Sequence, residues 1–200
     1  MKVEQIYTGC LAQGAYYICS DSEAVIIDPL REIQPYIDRL KRDGVTLKYI
    51  FETHFHADFV SGHIDLSKST NAPIVYGPKA ACGFDCIVAA DGQTFDVGRI
   101  KIKVLHTPGH TLESSCYLLI DENGKEHALF SGDTLFLGDV GRPDLAQKAA
   151  DMTQEQLADK TGTKKSFISR IENGHSDIQL STLYRLLEFG LGRKISLNIR

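Results

Sequence analysis

Several features are scarce in this 200-residue chain, and each scarcity narrows the field. No apolar run approaches the ~18 residues that a spanning helix needs, so no membrane partner is expected. The opening Met1-Lys2-Val3-Glu4-Gln5 has no basic stretch followed by an apolar one, so no secretion leader is expected either. Six Pro and 17 Gly are too few for a collagen-like or low-complexity chain, and neither internal repeats nor a low-complexity linker occur. Cysteine numbers five (Cys10, Cys19, Cys82, Cys86, Cys116), an odd count without a CxxC pair. That disfavours a disulfide framework and favours a reducing, cytoplasmic setting.

What remains is an ordinary globular composition, 42% hydrophobic and 24% charged, enough for one large domain or two small ones. The net charge of −4 is unevenly spread. Residues 1–150 hold 14 Lys and Arg against 20 Asp and Glu, or −6, while residues 151–200 hold 8 against 6, or +2. An acidic body with a mildly basic tail hints at two modules with different partners.

The pattern changes in the same region. Up to about residue 135 the chain reads as short β-rich runs separated by turns and a few helices. Ala15–Cys19 and Ala24–Asp28 flank Asp21-Ser22 as paired strands, and Ile33, Tyr36, Ile37 and Leu40 recur at helical spacing. Tyr49–Thr53 is a buried strand running into a His-rich turn, and Ile100–Val104 alternates strictly. Ser115–Ile120 and Glu126–Ser131 form another strand pair around Glu122-Asn123-Gly124. Strand pairs interleaved with helices predict an α/β layered fold. After Pro143 short helices take over, with Gly162, Gly174 and Gly190 as stops, and Lys194–Ile199 closes the chain as a short strand.

The strongest chemical signal is His54-Phe55-His56-Ala57-Asp58, directly after a buried strand. Two imidazoles two residues apart on a loop can serve one ion, and the carboxylate can take a second ion or orient a water. His106-Thr107-Pro108-Gly109-His110 and Ser131-Gly132-Asp133-Thr134 each follow a strand in the same way. A lone HxH on a surface is ordinarily incidental. Three strand ends delivering donors in order are a site, with His54, His56, His110 and Asp133 as the metal set. His106 reads as a strand cap or an orienter of His110, and His63 as a packing or supporting residue in a helix. His127 and His175 read as surface residues, and Cys82 and Cys86 as unliganded thiols in a loop.

These residues carry a resemblance. Thr53–Phe59, Thr107–His110 and Ser131–Thr134 resemble the metallo-β-lactamase superfamily. Gly138-Asp139-Val140-Gly141-Arg142-Pro143-Asp144-Leu145 resembles its persulfide dioxygenase and rhodanese-linked sulfur-handling branch. The resemblance implies an αββα sandwich with its metal at one edge of the sheets. Two departures matter. Two-zinc members such as hydroxyacylglutathione hydrolase carry a His directly after the Asp of HxHxD, where this chain has Phe59. They also draw another His from a later strand, in a segment that is expected to be absent here. A second metal would have only Asp58 and a shared Asp133. The remaining His54, His110 and Asp133, with His56 nearby, suit Fe(II) and oxygen chemistry. By resemblance, a glutathione or similar low-molecular-weight persulfide is oxidised to sulfite and the thiol. His56 and Asp58 then handle protons or waters, and Arg142 contacts the anionic substrate. The alternative is mononuclear Zn²⁺ on His54, His56, His110 and Asp133, hydrolysing a thioester.

The tail resembles a Cro/repressor-type helix-turn-helix through QxxLAxxxG followed by Ile168-Ser169-Arg170-Ile171-Glu172-Asn173-Gly174. Ala158 is the small residue where two helices cross, Gly162 the turn, and Leu157, Ile168 and Ile171 the apolar seam. The resemblance implies that Lys165, Ser166 and Arg170 face base edges in the major groove, with Ser169 on the same outward face and Lys164 nearer phosphate. Dimerisation is expected for operator binding. The organisation expected is therefore a metallo-β-lactamase-like domain, incomplete in its second half, over 1–147, and a small all-α DNA-binding domain over 148–200. Three classes of function follow: a metalloenzyme with an appended DNA-binding module, a transcriptional regulator with a metal- or sulfur-sensing domain, and a non-functional chimeric fusion.

Overall fold

A computed structural model describes residues 1–9, 13–136, 139–141, 154–162 and 164–166. Two packed sheets dominate it. The first has six strands in the order β1 (Lys2–Thr8), β2 (Gln13–Ser20), β3 (Glu23–Ile27), β4 (Thr46–Glu52), β5 (Ile74–Tyr76) and β6 (Ile87–Val88). The β1–β2–β3 pairings are antiparallel, as two short hairpins require, and those from β3 to β6 are parallel. The parallel β3–β4 and β4–β5 pairs need crossovers, which α1 (Gln34–Asp43) and α2 (His63–Thr70) supply. The second sheet is an antiparallel meander, ordered β10 (Glu126–Phe130), β9 (Ser115–Ile120), β8 (Ile100–His106) and β7 (Thr94–Val97).

The sequence pattern explains which faces are buried. Central strands β2, β3 and β4 are apolar on both faces because each has a layer on either side. Ile18, Val25, Ile27, Phe51 and Val75 face the second sheet and meet Phe95, Val97, Ile102, Val104, Tyr117 and Leu119. The opposite face, with Tyr17, Ala24, Ile26, Ile50 and Ile74, packs on Tyr36 and Leu40 of α1 and Leu66 of α2. At roughly 1.5–3 kcal/mol per fully buried aliphatic side chain, these two clusters are the main source of stability. The strict alternation of β8 gives the expected one-sided burial, Ile100, Ile102 and Val104 in and Lys101 out.

The expected elements are present with small shifts. Ile33 caps α1 rather than starting it, Pro35 lies in its first turn, and Gly44 (φ 64) ends it in the left-handed conformation. Helix, sheet and sheet form three stacked layers; an outer helical layer over the second sheet would fall outside the described residues. A small ribbon, β11 (Leu135–Phe136) with β12 (Asp139–Val140), follows the turn at Gly132–Thr134. In the tail, α3 (Gln154–Thr161) ends at Gly162 (φ 64), and Ala158 is buried, in keeping with a small-residue contact there. Gly174, Gly190, the 194–199 strand, Ser169 and Arg170 lie outside the described residues, as does Arg142.

Candidate metal centre

Three strand ends converge as their sequence order implies. His54 follows β4, His110 lies in the loop after β8, and Asp133 lies in the turn after β10. Donor atoms of these three lie within 4.8 Å of one another. His110 Nε2 is 3.6 Å and His54 Nε2 3.9 Å from Asp133 Oδ2, and the two rings meet edge to face at 4.8 Å. His54 is buried, whereas the side chains of His110 and Asp133 are 27% and 38% exposed. Donors on one side and solvent on the other make an open site. Two imidazoles and a carboxylate fit a divalent metal in number and chemistry.

The tautomer of His54 follows from its neighbour. The Thr53 hydroxyl donates its single proton to Asp28 Oδ2 at 2.8 Å, so toward His54 Nδ1, at 3.0 Å, it can only accept. Nδ1 therefore carries the proton and Nε2 offers its lone pair toward Asp133. Burial, and then the neighbouring His56, pull the His54 pKa down to about 4 and keep the ring neutral, as a metal ligand must be.

Two glycines hold Asp133 in place. Gly132 adopts φ 48, and a Cβ there would strike the Thr53 hydroxyl. A Cβ on Gly141 would run into the Asp133 carbonyl, which explains a glycine beyond the ribbon. The three loops are also tied to one another. Glu113 Oε1 accepts from the Phe55 amide at 3.1 Å, Thr107 Oγ1 and Thr134 Oγ1 lie 3.1 Å apart, and the Ser115 amide donates to the Thr53 carbonyl at 2.9 Å. His106 Nε2 lies 2.9 Å from the Leu112 carbonyl, so it braces the loop that carries His110.

His56 falls in a second donor group, its Nε2 3.1 Å from Asp28 Oδ1 and 3.5 Å from Glu52 Oε2. Its ring nevertheless lies against that of His54, centroids 4.2 Å apart at 57°. Asp58 is exposed and belongs to neither of the three-residue donor groups found among the described residues. Phe59 stacks on His56 at 4.3 Å. His63 opens α2 and packs against Phe84 at 5.0 Å, the supporting position expected of it, and His127 is exposed.

Sequence reasoning missed Asp28 and Glu52. Both are almost wholly buried, and with His56 they form a second donor group within 4.8 Å. Their signal is an acid ending an apolar strand, Ala24–Ile27 before Asp28 and Tyr49–Phe51 before Glu52. Burial, and then the charge of Asp28, push Glu52 well above the usual carboxylate range. Burial opposes charging of His56, but the adjacent Asp28 outweighs it and holds the imidazole above its ordinary pKa.

Comparison with known proteins fits this geometry. Residues 8–84 match the metallo-beta-lactamase superfamily model. ETHE1 from Myxococcus xanthus superposes with a TM-score of 0.65 at 30% identity, covering 81% of this chain and 68% of that one. The chain belongs to the metallo-β-lactamase superfamily. A superfamily member from Staphylococcus aureus superposes with a TM-score of 0.68 at 29% identity, over 98% of this chain and 68% of its own. Curated relatives include a probable hydroxyacylglutathione hydrolase of Schizosaccharomyces pombe, 35% identical over 68% of this chain and 54% of its own length. The hydroxyacylglutathione hydrolase of Brucella anthropi is 40% identical over 63% and 52%. The chain spans about half the length of the curated relatives it matches. Residues 146–189 match a helix-turn-helix model, so the superfamily domain shares this chain with a helix-turn-helix motif.

Proposed function

We propose that this chain is an iron-dependent persulfide dioxygenase acting on glutathione persulfide or a similar low-molecular-weight persulfide. The observation that carries the reading is the open triad of His54, His110 and Asp133, with His56 Nε2 engaged by Asp28 and Phe59 where a further imidazole would stand. Such a set leaves positions free for substrate and oxygen. When bound, Fe(II) supplies the redox chemistry by which O₂ oxidises the outer sulfur. One persulfide, one O₂ and one water give the thiol, sulfite and two protons. The chain's own part is positional. Thr53 fixes the His54 tautomer, and Gly132 and Gly141 set Asp133. Phe55 and Leu112 stand exposed beside the ligand loops as apolar surface for a thiol's carbon skeleton. Asp58 is the exposed proton-handling group on the same loop, and Arg142 the proposed contact for the substrate's anionic end.

A second reading, Zn²⁺-dependent thioester hydrolysis at the same triad, draws support from the names of the curated relatives. The two separate on anaerobically purified full-length protein. Ferrous-dependent oxygen uptake with glutathione persulfide, lost in His54→Ala, is the expected result. Hydrolysis of a glutathione thioester without oxygen uptake would overturn it in favour of zinc.

For the tail, the helix-turn-helix match supports double-stranded DNA as partner, bound by a cytoplasmic homodimer of domains divided near residue 147. Lys164, Lys165, Ser166, Ser169 and Arg170 are the proposed groove-facing residues. Lys164, Lys165 and Ser166 are exposed, and Lys165 Nζ pairs with Glu155 at 3.1 Å. In gel-shift assays on genomic fragments, His110→Ala leaves affinity unchanged if the enzyme reading holds. Affinity that depends on metal would instead make the first domain a sensor.

A further inference from the structure

The group of Asp28, Glu52 and His56 is not used by the triad. Its side chains are 4%, 0% and 5% exposed, so it is enclosed where the triad is open. Asp28 is well served, accepting from the Thr53 amide at 2.7 Å and the Thr53 hydroxyl at 2.8 Å. Glu52 Oε1 accepts from Ser61 Oγ at 2.7 Å. The rest of the pocket is bare. Glu52 Oε2, His56 Nε2 and both ring nitrogens of His63 are buried without a hydrogen-bond partner. Native interiors leave few such atoms, and several in one pocket call for an ion or a water between them.

The distances favour an ion. His56 Nε2 approaches Asp28 Oδ1 to 3.1 Å and Glu52 Oε2 to 3.5 Å, yet in neither case along a hydrogen-bond direction. Two donors on one tetrahedral ion with bonds of roughly 2.0–2.1 Å stand about 3.3 Å apart. Two neighbouring buried carboxylates need protons or a cation to offset their repulsion and lost hydration. His63 Nδ1, 3.5 Å from Glu52 Oε1, is the nearest further donor.

We propose that Asp28, Glu52 and His56 form a second, enclosed divalent-metal site, separate from the triad and structural in role. Its donor chemistry, one imidazole and two carboxylates, suits zinc or another borderline divalent ion. The site fixes the far side of the His54–Asp58 loop and so steadies His54 through Thr53. Binding there displaces the protons that otherwise neutralise the pocket.

The test is a count of metal on the full chain, stripped with chelator and reloaded with Zn²⁺ alone, then desalted and assayed. Two equivalents are expected in the parent protein. One is expected in the double variant His110→Ala/Asp133→Ala, and one in Glu52→Gln. A parent that binds one equivalent, lost in the double variant and kept in Glu52→Gln, overturns the second site while leaving the triad intact. One equivalent lost only in Glu52→Gln supports the enclosed site and removes the basis of the proposed enzyme. If Glu52→Gln fails to fold, Co²⁺ in the double variant decides. Visible bands unmoved by added azide mark an enclosed ion, whereas shifted bands or no bound Co²⁺ overturn the proposal.

Discussion

The two donor groups differ in almost every physical respect although one five-residue motif feeds both. The triad draws on three loops, has two partly exposed members and looks outward. The enclosed group draws on the ends of β3 and β4 and the loop after them, and its side chains are almost wholly buried. What separates them is exposure, for the His54 and His56 rings themselves lie 4.2 Å apart. A ligand facing solvent can leave coordination positions free, which suits reaction. A ligand sealed in the interior must be charge-balanced, which suits structure. Substitutions on the two sides are therefore expected to fail differently, one through activity and the other through stability.

The largest effect is expected at His110. His110→Ala removes a triad donor and should lower turnover by more than about 100-fold, the upper end for residues that merely support a ligand. Because the side chain is partly exposed, the melting midpoint should barely move, by about 0.5 kcal/mol or less. Steady-state oxygen uptake beside a thermal melt measures both. Asp28→Ala should do the reverse. It strips two buried donors on Thr53 of their acceptor, at roughly 1–3 kcal/mol for each orphaned group. Chemical denaturation should show several kcal/mol lost, with any activity defect following from unfolding. Equal loss of activity and stability in both variants would erase the distinction.

Thr53 joins the two sides, so it should show a mixture. Thr53→Val keeps the shape but deletes the hydroxyl that donates to Asp28 and accepts from His54 Nδ1. Metal affinity at the triad should fall about 10–100-fold, with about 1–3 kcal/mol of stability lost. Thr53→Ser should restore most of both. Metal titration of the three proteins would show whether the hydroxyl or only the shape matters.

Much of this was legible before the fold was known. The strand ends at Thr53, His106 and Ser131 are set by apolar runs stopping at polar triplets, and the triad follows from them. The alternation of β8, the hairpin turns and the stop at Gly162 are local events that local residues specify. Two kinds of information were not local. The side to which His56 points depends on the path of the turn after β4, and spacing alone assigned it to the triad. Asp28 and Glu52 lie 24 positions apart and become neighbours only because β3 and β4 pair in parallel, with Ile27 opposite Phe51. An acid at the end of an apolar strand reads equally well as the first residue of a solvated turn. Only the packing of the folded chain around them makes each one buried.

The smallest effect sharpens the comparison at the wall of the enclosed side. Cys82 and Phe84 pack with the helix-facing cluster, and Phe84 stacks on His63. Burial, with the neighbouring Cys86 thiol, pushes the Cys82 pKa up to about 12. The raised value means that the thiolate, the reactive form, is scarce at neutral pH. Alkylation of Cys82 by iodoacetamide should therefore be slow at pH 8 and rise about tenfold per pH unit toward pH 12, where an ordinary thiol levels off near 8.5. Peptide mapping after timed labelling reads the rate at this one position. Labelling at pH 8 as fast as a free cysteine would mean that neither burial nor the Cys86 thiol holds the Cys82 proton.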